Sequence, residues 1–600
     1  MNITLNTPKQ ENSPPTEIDI RTSALQSWIE ALPLMDYARS CEKVTNALHH
    51  INRHQLDVKA RIEAVTLLSE RVEKLHKIVP RSFDSDALPF TEKQLASKQG
   101  PQRLLAECAI SHKIIINELL ADPKLLAKHK QVLFYSLVKA LHYMSLELIE
   151  RFLIYRIPAE GTWQDIHKLY VIAGKMSVLD ISISGSAAQG EASTSINELY
   201  KKILLLSLAD LSRLMMGEAT SVYKQLAEWS KLTSLLALDD AFREGVVVDL
   251  GIDAPASHIL SKQTLKFHNG RVFDISHLLV YLDEQVDVMT EQGQSGGNML
   301  SVRARQAMYI RLRRTWGSRG EREAGREPIK TPMKLISGLH DCHRVLSDDA
   351  PFNPEYDELH FEYESKKTVA GGLEGLALVP EGDSPWEREE MESRAAANIK
   401  GNRTSQFDDS TKADAWEKIY ANKLAEVERQ KRESTPLIAT DCFQVDISPG
   451  GMAIVCDKAQ ANAALAVGKV VTIRASNDDA SWQAGIVRWL VMLPNNDIRC
   501  GVQVLSEHAV TIATKGVKGV GNNGEYYRSI MTLADEGSVA SVFVPASVYS
   551  VNSIINAVVG GGVKYLALKS LLNNSASYNQ FSFEEVSKPV VGGLIKAKLG

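Results

Sequence analysis

Two stretches of this 600-residue chain combine residue types able to hold an anion. The first is Arg322-Glu-Ala-Gly-Arg326, two guanidinium groups four residues apart, with Arg319 just upstream. A guanidinium is planar and always charged, and it bonds a phosphate or the O6/N7 edge of a guanine through two parallel hydrogen bonds. Two of them on one flexible loop can reach different parts of one ligand. The second stretch is Asp446-Ile447-Ser448-Pro449-Gly450-Gly451, set between two strand patterns. It offers a carboxylate, a hydroxyl and, at Gly451, a residue that permits positive φ and close backbone approach. Each stretch also has a plainer reading. Asp446 to Gly451 is a good strand–turn, in which Asp and Ser bond local backbone and Pro and Gly turn the chain. The arginines, together with Arg311, Arg313 and Arg314, would serve equally as a solvated face or as partners of an acidic segment.

The elements around these residues divide the chain in two. From about Ser23 to Leu238 the pattern is helical. Leu133, Leu137, Ala140, Met144, Leu148, Phe152 and Tyr155 recur at three- and four-residue steps and line one helix face. Ile157-Pro158 ends that helix, and Thr162 is placed to cap the next. Further helices are expected at Arg61–Lys77, Gly100–Leu120, Ile196–Leu214 and Glu218–Leu238, then at Phe273–Glu284 and Ser301–Arg314. GVVVDLGID, from Gly245, reads as a strand and turn. After Pro436 the pattern is β: CFQVDISPGGMAIVC, KVVTIRA, WQAGIVRWLVML and IRCGVQVL are short, rich in Val and Ile, and separated by Gly, Asn, Asp and Pro. More strands are expected at Ser529–Leu533, Ser541–Val544 and Gly562–Leu568, with a final YNQFSFEEV.

Bulk properties narrow the function classes. The length exceeds one hydrophobic core, so several domains are expected. A formal net charge of −5 gives no global attraction to nucleic acid or anionic membranes, so any anion site must be local. The six cysteines are scattered without a CxxC pair, which predicts buried thiols in a reducing cytoplasm and no metal site. No signal peptide and no apolar membrane span is expected, and the address is read as cytoplasmic. Gly519-Val-Gly521-Asn-Asn-Gly524 spells a dinucleotide fingerprint, but its flanks look β, and it is read as a turn. No catalytic constellation is found, so the chain is read as no enzyme and as needing no cofactor.

The segment from Leu437 to Glu507 resembles a PilZ domain in motif and in order. Asp446 to Gly451 matches the D/N-x-S-x-x-G signature, and the strands around it follow in sequence. The family's other signature, R-x-x-x-R, normally lies 20–30 residues before the Asp. Arg429-Gln-Lys-Arg432 stands there with the wrong spacing, whereas Arg322 to Arg326 has the right one and is followed by Glu327-Pro328-Ile329 and a strand pattern at Met333–Gly338. The resemblance therefore implies a barrel split by an insertion, which is thermodynamically cheap: each doubling of loop length costs only about 0.6 kcal/mol. TWQDIHKLY, RLRRTWGSRGEREAGR, VDISPGG, GIVRWL and YNQFSF also resemble a subgroup of large PilZ proteins with a long helical N-terminal half.

The fold class expected on this basis is α+β multidomain: an N-terminal α-helical bundle, then a PilZ-like antiparallel β-barrel with a β extension. The layout is 1–20 disordered and 21–240 helical. A middle region at 241–345 carries the Arg loop and the first barrel strand. An acidic, mostly disordered insertion fills 346–435, with a helical piece at Thr411–Arg432. The barrel occupies 436–510 and the extension 511–600. The implied ligand is cyclic di-GMP, a dianion with two guanines. By resemblance Arg322 and Arg326 take phosphate and guanine edges, Asp446 accepts from guanine N1–H and N2–H2, and Ser448 and Gly451 complete the site, with Arg319 as an additional candidate. The resemblance also implies a link to surface attachment, motility or pili and an unidentified protein partner from such machinery. The alternative is a PilZ-like interaction scaffold that binds no ligand.

Overall fold

The computed structural model describes residues 3–587 except 13–17, 34–35, 79–86, 183–193, 216, 240–241, 260–266, 295–298, 318–326, 356–434, 449, 459–463, 477–480, 507–508, 518–524, 534–539, 547, 561 and 576. The acidic insertion with its expected helix, and the Gly519–Gly524 run, lie outside these residues.

The first half is helical, as its periodicity requires. Its helices are α1 (Thr22–Glu30), α2 (Tyr37–Arg53), α3 (Val58–Lys77), α4 (Glu92–Ala121), α5 (Pro123–Lys128), α6 (Lys130–Leu153), α7 (Thr162–Lys175), α8 (Ile196–Leu208) and α9 (Glu218–Trp229). In α6 the expected stripe of Leu133, Leu137, Ala140, Met144 and Leu148 is buried, but so are Leu141, Tyr143, Leu146 and Ile149 on the remaining faces. This helix is central, packed against α4. Among the described residues only α6 is long and apolar enough to cross a membrane, and 67% of that stretch is buried inside the fold. Glu147 is buried and satisfied by Arg151 and by Gln102 at 3.2 Å.

Several expectations need correction. Residues 3–12 are laid as an extended strap on the helices rather than disordered. Leu5 is buried; its N–H donates to Asn117 Oδ1 at 3.0 Å, and its carbonyl accepts from Asn117 Nδ2 at 3.0 Å. Helix α4 begins eight residues before Gly100, at a capping box of Thr91 and Gln94, and runs through Pro101 because packing on α6 outweighs the missing ladder bond. Thr162 is not the cap of α7. The N-cap is Gly161, and Asp253 reaches in from a distant loop to accept from Gly161 N at 2.6 Å and Gln164 N at 2.9 Å. The last helix stops at Trp229, and Ser234–Ala237 is a strand.

That strand, β1, joins a sheet not expected as such: β1, β2 (Gly245–Asp249), β3 (Ser257–Ile259) and β4 (Gly270–Asp274), in the order β1-β4-β2-β3. Two helices follow, α10 (Ser276–Gln294) and α11 (Met299–Gly317). Next come β5 (Glu327–Ser337) and α12 (Leu339–Leu346) and, beyond the insertion, β6 (Thr440–Ser448), β7 (Gly451–Cys456), β8 (Val470–Ala475), β9 (Gln483–Met492) and β10 (Ile498–Ser506). These six strands close a barrel in the order β10-β7-β6-β5-β8-β9. β5 lies between β6 and β8, so the strand before the insertion is an integral stave.

The C-terminal segment is more than an extension. β11 (Ala509–Gly516), β12 (Tyr527–Thr532), β13 (Ser541–Pro545), β14 (Ile554–Val559), β15 (Gly562–Asn574) and β16 (Tyr578–Val586) close a second six-stranded barrel. α12 sits between the barrels: Leu339 and Cys342 share a core with Val470 and Ile486 of the first and Ile530, Phe543 and Tyr578 of the second. His343 on α12 accepts from Arg528 of β12 at 3.1 Å. The helical half grips the first barrel through a reciprocal pair of main-chain bonds between Leu88 and Leu465 (2.8 and 2.7 Å) and through Met492 N donating to Tyr155 O at 2.8 Å.

Burial holds three imidazoles neutral. His112 and His142 in the helical core are pushed down to about 3 by desolvation, and His343 by desolvation and then the Arg528 charge. In the unfolded chain each titrates near 6.5, so below that pH the unfolded state takes up protons that the folded state cannot. The stability these neutral rings allow is complete above 6.5 and declines toward pH 3, at about 1.4 kcal/mol per unit for each ring. The urea midpoint should therefore fall between pH 7.5 and 5, and less so in His112→Gln; a midpoint flat over that range would contradict this account.

Candidate functional site

The Asp446–Gly451 stretch forms the β6–β7 hairpin, with Ser448 paired to Gly451. A bulge between Gln444 and Asp446 interrupts the ladder, and the Asp446 carboxylate serves it: Oδ1 accepts from Ala453 N at 3.1 Å. Oδ2 accepts from Arg499 Nη2 of β10 at 3.3 Å. Ser448 Oγ donates to Gly451 O at 3.1 Å, tightening the turn. Gly451 has φ +156°, and a Cβ there would stand 2.3 Å from Val502 O. The backbone approach that only glycine allows at this position is thus made by β10 of the barrel itself.

Arg319, Arg322 and Arg326 lie in 318–326, outside the described residues, as do Arg429 and Arg432. The ends of that stretch are placed. It leaves from Gly317 at the end of α11 and enters β5 at Glu327. Glu327 pairs with Ile447 and Pro328 with Asp446. Arg326 is the sequence neighbour of Glu327, whose register partner Ile447 adjoins Ser448.

Residues 23–240 match the family described as "Cyclic-di-GMP receptor FimW, N-terminal domain", and residues 246–510 match "Cyclic-di-GMP receptor FimW, middle PilZ domain". Residues 246–510 of this chain are a PilZ domain. The PilZ match runs through the insertion, from β2 to beyond β10, so it takes in three strands of the four-stranded sheet, with α10 and α11, along with the barrel. The chain is also similar to the cyclic-di-GMP receptor FimW of Pseudomonas aeruginosa, 20% identical over 598 residues, with 97% of this chain and 93% of that one covered. No solved structure matches it.

Sequence reasoning missed Arg499, which stands beside the PilZ signature aspartate. Its signal was the alternation of β10: Ile498, Cys500 and Val502 are buried, which turns Arg499 to the outer face of the barrel. Arg474, on β8, stacks its guanidinium on Trp482 at 4.6 Å and lies on the other side of β5. Among the described residues no group of three or more His, Cys, Asp or Glu could hold a metal ion. Cys442, Cys456 and Cys500 fill the PilZ barrel interior as free thiols; the hydrogen bond with Cys456 and then burial raise the Cys442 pKa, and burial and then the Cys456 charge raise that of Cys500.

The approach at Gly451 gives a direct test. Gly451→Ala should destabilise the PilZ barrel by about 1–3 kcal/mol through overpacking against Val502, whereas Gly450→Ala, where a Cβ meets nothing within 4 Å, should leave it nearly unchanged. Thermal unfolding of both variants checks this, and equal midpoints would refute it.

Proposed function

We propose that this chain is a cyclic di-GMP receptor, with the ligand held between the Arg322–Arg326 loop and the Asp446–Gly451 turn of the PilZ barrel. The observation that carries this reading is the register of β5 on β6. It brings the exit of the Arg loop beside the signature turn although more than a hundred residues separate them in sequence. The names of the matched families and of the Pseudomonas relative support the ligand assignment. Arg322 and Arg326 take phosphate oxygens and guanine edges, Arg319 adds charge at the rim, and the turn of Asp446, Ser448 and Gly451 presents acceptors to the guanine Watson–Crick edge. Three or four charge-assisted bonds of about 1.5–3 kcal/mol each support micromolar binding, about −8 kcal/mol, after ordering costs.

On this reading the protein is a binder and not a catalyst, requires no cofactor, and works in a reducing cytoplasm, in keeping with its six free thiols. Its downstream role is to couple the second messenger to surface attachment, motility or pili through a protein partner. A second reading has one observation in its favour. Both oxygens of Asp446 are already engaged, by Ala453 N and Arg499, as they would be in a barrel that serves as an interaction scaffold.

Calorimetric titration with cyclic di-GMP separates the two. The receptor reading expects binding at micromolar ligand that weakens about 10- to 100-fold in Arg326→Ala, the loss of one charged hydrogen-bonding group. Absence of heat with the wild type at high micromolar ligand would favour the scaffold.

A further inference from the structure

The amino-terminal strap lies in a groove whose polar groups bond main chain rather than side chains. Asn117 of α4 takes both main-chain polar groups of one residue: its Oδ1 accepts from Leu5 N and its Nδ2 donates to Leu5 O, each at 3.0 Å. From α7, Lys168 Nζ donates to Thr4 O at 2.9 Å, and Asp165 Oδ1 accepts from Asn6 N at 3.0 Å. Farther along, Glu11 bridges in parallel to His54: Glu11 N donates to Arg53 O at 2.7 Å, and Gln55 N to Glu11 O at 2.9 Å. These bonds specify an extended backbone and leave its sequence open. One side chain is selected. Leu5 joins the helical core, while Thr4 and Asn6 are exposed.

The groove and the strap are built differently. Asp165 is buried, and its other oxygen accepts from the buried Lys113 Nζ at 2.9 Å, so the groove keeps its shape by contacts of its own. Among residues 3–12 Leu5 alone is buried. One apolar anchor and a row of hydrogen bonds at the edge of the fold put the strap at the low end of local stability. The groove is also tied to the middle of the chain. α7, which presents Asp165 and Lys168 to the strap, holds the β2–β3 loop: Gly161 N and Gln164 N donate to Asp253, and His167 Nε2 donates to Ala254 O at 2.9 Å.

We propose that this α4–α7 groove is a peptide-binding site for a protein partner, which enters it as an extended segment with a leucine at the Leu5 position, and that residues 3–12 are the resident segment such a partner displaces. Main-chain hydrogen bonds supply the affinity and the leucine pocket supplies the selection, as when a peptide adds to a sheet edge. The occupant of the groove and the β2–β3 loop then share α7 as one support.

The test is fluorescence anisotropy of a labelled peptide of residues 1–12, MNITLNTPKQEN, against the full chain. Wild type, whose own strap is present at high effective concentration, should bind it weakly. Leu5→Asp, which evicts the strap, should bind it at least about 10-fold more tightly, and a peptide with the same Leu5→Asp change should lose about 10- to 100-fold. Asn117→Ala in the Leu5→Asp chain should weaken the unchanged peptide about 10-fold. A folded Leu5→Asp chain that binds the peptide no better than wild type, or equally well with and without the leucine, would overturn the proposal. Hydrogen exchange of the wild type tests it without a variant. The Leu5 and Asn6 amides should exchange faster than those of α4 and α7; exchange as slow as the helices would mean a strap that leaves only on global unfolding, and would overturn it too. A wild-type dimer that Leu5→Asp dissociates would assign the groove to a second copy's strap and overturn the partner reading.

Discussion

The pairing of β5 with β6 is the constraint on which the rest of this molecule depends. It joins a strand that ends at Ser337 to one that begins at Thr440, and without it the first barrel has neither closure nor a second signature. Loop-closure entropy rises only logarithmically with length, so the long insertion adds little to the cost of the pairing. The return is secured on both sides, because β5 also pairs with β8 from Met333 to Ser337. Backbone bonds on two edges and a sealed interior of Met333, Leu335, Cys442, Ile454 and Val471 fix the register, and a one-residue slip would turn Met333 and Leu335 outward.

Everything else is arranged around that stave. Before it, α11 delivers the chain from the helical half; after it, α12 turns away at Gly338 and wedges between the two barrels. The two ends of β5 are thus tied to different neighbours. The Glu327 end meets the signature turn and lies next to the Arg loop, and the Ser337 end leads directly into a core shared with the second barrel. The helical half touches the barrel at other points, through Leu88, Ile154 and Tyr155. The first barrel is thus in contact with both the helices and the C-terminal barrel.

Much of this was legible in the sequence, and the failures have physical causes. The strands of the first barrel announce themselves because Val and Ile alternate with turn residues on a half-buried surface. The four-stranded sheet was hidden because its strands are three to five residues long, too short for a period to declare itself. β11 and β14 were missed because AVTIATKG and IINAVV hold polar residues among their buried positions, Thr514 bonded to Ser529 and Asn556 bonded to Tyr526, which breaks the apolar alternation. The cap of α7 came from Asp253, nearly ninety residues away, which no local pattern contains. At the site, the motif located Asp446, Ser448 and Gly451 correctly as one turn, but their neighbours Arg499 and Gln503 are set by cross-strand register.

The central claim is that the Arg loop and the β6–β7 turn close on one ligand. Hydrogen–deuterium exchange of the full chain with and without saturating cyclic di-GMP tests it most directly. The account predicts slowed exchange in peptides covering 318–329 and 446–453, together with the end of α11. Exchange unchanged in those peptides at saturation, or slowed only in the C-terminal barrel, would contradict it.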